Sequence, residues 1–215
     1  MELESRLMQR HWRDELDHWT SPVLANLLWT LGSILVITMP LALVGLLGVM
    51  YRWTNGDDSP AFSVFFGTIR RTWLKAYLLV ALDLLIGGLI YVNLLIFQLM
   101  DMTDVLAFIS RSVTLFVAIL LVLFNLYAWT LIAVWDQPLK PILRFALTLV
   151  FAQPLWTLVM AFGIGAALSL AYVLPGAAFI TVIMALVGYI ASRGTAFVVS
   201  KYIPLTQFKL IDVEF

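Results

Sequence analysis

The chain has 215 residues, no net formal charge and no cysteine; 62% of it is hydrophobic and only 12% charged. Soluble domains average about 45–50% apolar and about 25% charged residues, so a chain with a mean hydropathy of +0.98 has too little polar surface to cover a globule in water. That composition argues against a soluble enzyme, a disordered regulator and a nucleic-acid binder, and without cysteine there are no disulfides, iron–sulfur clusters or thiolate zinc sites.

What remains is an all-α integral membrane protein. Its first part, residues 1–21, is an amphipathic segment that groups Met8, Trp12, Leu16 and Trp19. His11 and His18 lie there with Asp14, Glu15 and Asp17. Their i, i+7 spacing is not the i, i+4 spacing of chelating helices, so no metal is expected.

A membrane-crossing helix needs about 20 mostly apolar residues. Six runs qualify or nearly do: residues 22–39, a short run at 40–53, then 76–97, 112–135, 154–173 and 176–191. They define a polytopic domain over residues 22–193, followed by a cytoplasmic tail over 194–215. The first run is no cleavable signal, because it starts late, follows a segment of mixed charge and precedes further spans.

The short second run decides between five and six spans. Proline is favoured in the first turn of a helix and breaks its interior, so Pro40 either starts a helix after a tight turn or kinks a longer one. Cytoplasmic loops collect Lys and Arg. With six spans and both termini inside, Arg6, Arg10, Arg13, Arg52, Arg70, Arg71, Lys75, Lys140, Arg144, Arg193, Lys201 and Lys209 fall inside, and Arg111 alone outside. Five spans would move the first three arginines outside. The charge bias therefore favours six helices in three hairpins with both termini cytoplasmic, the second run thinning the bilayer, snorkelling Arg52 and Trp53, or re-entering.

Between the runs lie amphipathic stretches. In residues 61–71, Phe62, Phe65, Phe66 and Ile69 recur at i, i+3, i+4 and i+7, the period of one helical face, with Ser63, Thr68, Arg70 and Arg71 off that stripe. This predicts an interfacial helix and, with Arg70 and Arg71, a face for docking a partner. Residues 141–151 are similar, with Ile142, Phe145 and Leu149 on one side. Phe65 and Thr68 would then correspond to Phe145 and Thr148 in a pseudo-repeat of interfacial helix and hairpin. Asp57 and Asp58, in the turn before Pro60, read as helix-start or solvated acids rather than a metal site.

A family resemblance rests on particular residues. Asn26-Leu27-Leu28-Trp29 opens the first run, Pro40 stands ahead of Tyr51-Arg52-Trp53, and Phe62, Phe65, Phe66, Arg70, Arg71 and Lys75 precede the third run. Gln153-Pro154-Leu155 resembles an Asn-Pro-Leu element, with Gln in place of Asn. Over residues 20–195 the chain resembles the YesL-like family of small bacterial membrane proteins. The resemblance implies association with carbohydrate uptake beside sugar ABC-transporter components, and it implies no catalytic residue.

Inside the runs, Asp83 is the informative residue. It lies about 10 Å along the third run at 1.5 Å per residue, where an ionisable side chain is costly and needs a partner. Asn125, at comparable depth in the fourth run, can supply it. The pair is either a polar clamp between helices or a proton- or substrate-binding carboxylate. Asn93 either lines a polar cavity or joins two helices. Most of the tryptophans lie near run ends, as in an aromatic belt, with Trp29 and Trp129 deeper. Small-residue steps at Gly45–Gly48, Gly87–Gly88 and Gly163–Ala167 read as contact faces between helices.

No phosphate loop, nucleophile elbow or zinc helix is present, so neither enzyme activity nor a cofactor is expected. The functional expectation is a non-catalytic accessory subunit of a membrane assembly, which the resemblance implies is one for carbohydrate uptake. The alternatives are an oligomeric small-solute transporter or channel, and a structural subunit of a larger complex. The expected partners are lipid and either another membrane protein or further copies of this chain, not nucleic acid.

Overall fold

The structure, a computed structural model, describes residues 20–57, 59–98, 105–173, 176 and 182–202. The amphipathic segment with its two histidines, Asp58, and the tail beyond residue 202 lie outside the described residues. The described chain folds into helices α1 (residues 20–33), α2 (Met39–Thr54), α3 (Ala61–Gln98), α4 (Val105–Val134), α5 (Leu139–Ala152), α6 (Pro154–Val173) and α7 (Met184–Val199), with a short 3-10 turn at Val36–Thr38. The protein is an all-α membrane protein. By length and composition, Val36–Thr54, Ala61–Phe97 and Val105–Val134 are each able to cross a membrane. Leu139–Ala152 and Pro154–Leu170 pass only as a pair bent by 100°. Three or four spans thus qualify on these grounds, against the five to six runs read from the sequence.

The first run is not one continuous helix. α1 stops at residue 33, and Pro40 sits in the first turn of α2, where its missing N–H costs nothing. The Thr38 hydroxyl donates to the carbonyls of Gly32 and Leu35, so the end of α1 keeps partners for its exposed backbone. A Cβ at Gly32 would come within 3.0 Å of the Ala42 Cβ, which places the two helices in close contact. The tip between them is apolar and bare, with Ile34, Leu35, Val36 and Ile37 all largely exposed, Val36 to 82%. Such a tip is costly in water and comfortable in hydrocarbon. The chain has no native cysteine, so single-cysteine labelling is direct. A Val36→Cys protein in sealed vesicles should resist a hydrophilic maleimide from either side and react after detergent is added, while Gly56→Cys should react from one side. Rapid labelling of Val36→Cys would show that the tip emerges into water.

α2 is buried on most of its circumference, from Ala42 and Val44 through Tyr51, and packs against α3, α4 and α7. A helix that is apolar all round belongs in a core. Its shortness follows from that position, because protein rather than lipid surrounds much of it. A cap closes its far end: Asn55 donates to the Tyr51 carbonyl at 2.7 Å, and Gly56, at φ +75, makes the left-handed turn that a side chain would resist. Arg193 on α7 donates to the Thr54 carbonyl at 3.3 Å, placing a cation at the negative helix end. In the next turn Asp57 pairs with Arg52 at 3.1 Å. Partial burial pushes the Asp57 carboxyl up, but hydrogen bonds from Ser59 and the Arg52 guanidinium more than offset this and hold it below the usual range.

The separate interfacial helix expected at residues 61–71 does not exist. α3 runs unbroken from Ala61 to Gln98, about 57 Å at 1.5 Å per residue, because no proline interrupts it. The expected aromatic face is also divided. Phe65 is 2% exposed, its ring set against Gly45 of α2, and Thr68 is buried against Gly48. Phe62 and Phe66 instead stay outward at 59% and 47% exposure. The burying stripe is Ala61, Val64, Phe65, Thr68, Thr72, Ala76 and Leu79, a helical period that admits two threonines, Thr68 facing Gly48 and Thr72 donating to the Thr68 carbonyl at 2.8 Å.

Residues 139–152 do form the amphipathic helix read from the sequence, with Ile142, Ala146, Leu149 and Val150 buried. It ends at Gln153 (φ -137, ψ 60), since a residue before proline is pushed out of the α region. That break separates α5 from α6, whereas α3 has none. Phe65 and Thr68 are buried while Thr148 is exposed and Phe145 half-buried, so the two stretches are not structural equivalents and the pseudo-repeat fails. The tail boundary shifts too: residues 194–199 belong to α7, and Gly194, Thr195, Val198 and Val199 are buried.

Candidate functional site

Asp83 projects from the middle of α3 and meets Asn125 of α4. The Asn125 amide donates to Asp83 Oδ1 at 2.9 Å and to the Leu121 carbonyl at 3.0 Å. Both partners are acceptors, so the amide can be oriented only one way, with its nitrogen toward them. Asn125 Oδ1 is left buried without a hydrogen bond. Asn93 sits elsewhere on the α3–α4 seam, donating to Thr114 Oγ1 at 3.1 Å. The structure therefore joins Asp83 with Asn125 and leaves Asn93 as a separate tie between the same two helices.

A cavity of about 400 Å³ opens beside the pair, between α2, α3, α4, α6 and α7. Leu43, Leu47, Trp129, Ile164 and Ala191 make most of its wall, and Asp83, Asn125 and Thr130 bring the polar groups. Thr130 is fully buried and its hydroxyl has no hydrogen-bond partner. The deep Trp129 thus lines a cavity, while Trp29 is buried in the α1–α2 core. Of the other tryptophans, Trp53 rests edge-on against Tyr189 and Trp156 against Phe197, at 5.8 and 4.6 Å between ring centres.

The sequence did not reveal three further polar ties. Asn26 Oδ1 accepts from the Ala185 backbone N–H at 2.7 Å. Tyr127 and Thr157, both buried, share a hydrogen bond of 2.9 Å between α4 and α6. Gln153 donates to the Tyr202 hydroxyl at 2.9 Å across the α5–α6 break. Asn26 and Gln153 had a signal, since both fall in the residues that carry the family resemblance. Tyr127 and Thr157 had none, because a tyrosine and a threonine in apolar runs are ordinary. The expected docking residues Phe62, Phe65, Phe66, Ile69, Arg70 and Arg71 do not form one surface. Phe65 is enclosed and Ile69 half-buried, while Phe62, Phe66, Arg70 and Arg71 remain outside.

The chemistry open to the cavity is limited. A single carboxylate clamped by an amide provides no acid–base couple. Asp83→Asn should preserve the clamp, because an amide oxygen still accepts from Asn125, and thermal unfolding in detergent should shift by only a few degrees. Asn125→Leu should cost about 1–3 kcal/mol, the penalty for stripping a buried polar group of its partner. If Asp83→Asn folds normally yet abolishes solute uptake in liposomes, the carboxylate has a transport role beyond the clamp.

Helices of this length and apolarity, with polar side chains tied across the helix seams, define a polytopic α-helical membrane protein. A family model described as "Protein of unknown function, DUF624" matches residues 23–94. These residues hold the α1–α2 hairpin and most of α3. The chain is also 28% identical over 149 residues to "Uncharacterized protein YesL" of Bacillus subtilis (strain 168), covering 64% of this chain and 66% of that protein. It thus spans just under two thirds of that relative's length. No solved structure matches the chain. The stretch matched by the family model includes the residues around Asn26, Pro40 and Phe62.

Proposed function

We propose that this protein is a non-catalytic accessory subunit of a bacterial inner-membrane assembly, with both termini on the cytoplasmic side. The observation that favours this reading is the bare outer ridge on the first turns of α3. Phe62 and Phe66 lie one turn apart with ring centres 4.7 Å apart, and Arg70 and Trp73, also exposed, continue the ridge. The opposite side of the same turns is fixed against α2, so the ridge is rigid. α3 is about 57 Å long, well beyond a hydrocarbon core of about 30 Å, which lets this end stand at or beyond the interface. Aromatic and arginine side chains at helical spacing suit a helix-in-groove partner. Carbohydrate ABC-type uptake is the assembly that the family resemblance suggests.

Extraction from native membranes in mild detergent tests this reading. Sugar-permease chains or a solute-binding protein at fixed ratio, lost in a Phe62→Ser, Phe66→Ser double variant, would support it. Subunits of an unrelated large complex would replace it with the structural-subunit reading. A chain that elutes alone or as a homo-oligomer would favour the transporter reading, which the cavity beside Asp83 also supports.

A further inference from the structure

The outer side of α5 changes character along its length. Lys140, Arg144 and Leu147 fall at i, i+4 and i+7, so they share one face, and all three are exposed. The opposite face, with Ile142, Ala146 and Leu149, is buried. Neither Lys140 nor Arg144 takes part in an ion pair among the described residues. The acid nearest to them in sequence, Asp136, interacts electrostatically with Lys75 of α3. The two cations line a recess of about 300 Å³ together with Pro141, Phe145 and Thr148. Leu147, one turn beyond Arg144, belongs to a second recess of about 210 Å³. Its other walls include Leu82 and Ile86 of α3 and Val117, Leu120 and Phe124 of α4, and every residue lining it is apolar.

We infer that the two recesses form one binding site for an anionic phospholipid, with its phosphate at Lys140 and Arg144 and an acyl chain in the groove between α3 and α4. Two cations one turn apart, with no acid paired to them, match one phosphate in a headgroup of net negative charge. A zwitterionic lipid brings its own cation to the same place and gains less. The lengths agree as well. α4 is followed by Trp135, Asp136 and Gln137, the aromatic and polar side chains of a membrane boundary. From Trp135 back to Leu121, which also lines the groove, is about 21 Å at 1.5 Å per residue. One leaflet with its headgroups is half of about 40–45 Å. A soluble anion would fill the cationic recess and leave the apolar groove bare, so the pair of recesses favours a lipid. The site lies apart from the ridge on the first turns of α3, so it does not depend on the accessory role.

The test uses the full chain in phosphatidylcholine nanodiscs and a phosphatidylglycerol with a diazirine near the end of one acyl chain, adducts being mapped by mass spectrometry. Saturable labelling is expected within residues 82–86 and 117–124. Unlabelled phosphatidylglycerol should compete roughly thirtyfold better than added phosphatidylcholine, the combined worth of two basic side chains at an anionic surface. A Lys140→Gln, Arg144→Gln variant should lose that preference. An Arg70→Gln, Arg71→Gln variant, which removes the same charge elsewhere, should keep it. High salt should erase the preference in the unaltered protein, a result that needs no variant to fold. Val117→Trp, which fills the groove from an exposed position, should remove the label from residues 117–124 with no fall in unfolding temperature. Millimolar inorganic phosphate should not displace the probe. No saturable label, equal competition by phosphatidylcholine, an unchanged preference in the Lys140→Gln, Arg144→Gln variant, or full labelling of Val117→Trp would each overturn the proposal. Displacement by inorganic phosphate would also overturn it, by assigning the recess to a soluble anion.

Discussion

Gly48→Val should lower the stability of the purified protein by about 3 kcal/mol, the upper part of the range for overpacking a tight interface. A Cβ at Gly48 would lie 2.6 Å from Thr68 Oγ1 and 3.2 Å from Thr68 Cβ. Threonine is branched at Cβ and stiff at χ1, so it cannot swing aside as a longer chain would. Thr68 is itself buried in the unbroken part of α3, so any relief requires moving one helix away from the other. That separation would also lift Phe65 from Gly45, one turn along α2, where a Cβ would come within 2.8 Å of the ring. Gly87→Ala and Gly88→Ala are the controls. Nothing lies within 4 Å of a Cβ at either site, and alanine is the better helix former, so their unfolding temperatures should stay level or rise. If Gly48→Val and Gly88→Ala melt alike, the α2–α3 contact is not as close as described.

Asn26→Leu should cost about 1–3 kcal/mol by leaving a buried backbone donor without a partner. Asn26 is fully buried on α1, and its side-chain oxygen takes the Ala185 N–H at 2.7 Å, bridging 159 positions of sequence. Ala185 lies in the first turn of α7, where amides have no carbonyl of their own helix to bond. A residue from the other end of the chain therefore caps α7. Leucine keeps the branching of asparagine but is bulkier, so overpacking adds to the loss of the hydrogen bond. Amide exchange at the first turn of α7 should speed up, while exchange in the middle of α4 should change little. An unaltered rate at Ala185 would show that the bond does not hold α7.

Much of this architecture is written in local signals. Pro40 and Pro154 begin helices because proline tolerates only a first turn, and Gly56 marks the one left-handed turn among the described residues. The pairing of Asp83 with Asn125 was legible because few polar side chains occur at depth in apolar runs and each needs a partner. The division of the Phe62–Ile69 stripe was not. A period of 3.6 identifies a face but not its neighbour, and here Phe65 was taken by Gly45 of α2 while Phe62 and Phe66 were left bare.

The sequence by itself determined an all-α membrane protein, the proline-set helix starts, the amphipathic α5 and the need of Asp83 for a polar partner. Each follows from composition or from interactions within a few residues. Only the tertiary structure decided that the short second run is the buried centre of the bundle, that Asn26 caps α7, and that Asp83, Asn125 and Thr130 share one cavity. Those outcomes depend on which helices approach closely. Close approach is set by the fit of small residues such as Gly45 and Gly48 against side chains distant in sequence, which no local pattern records.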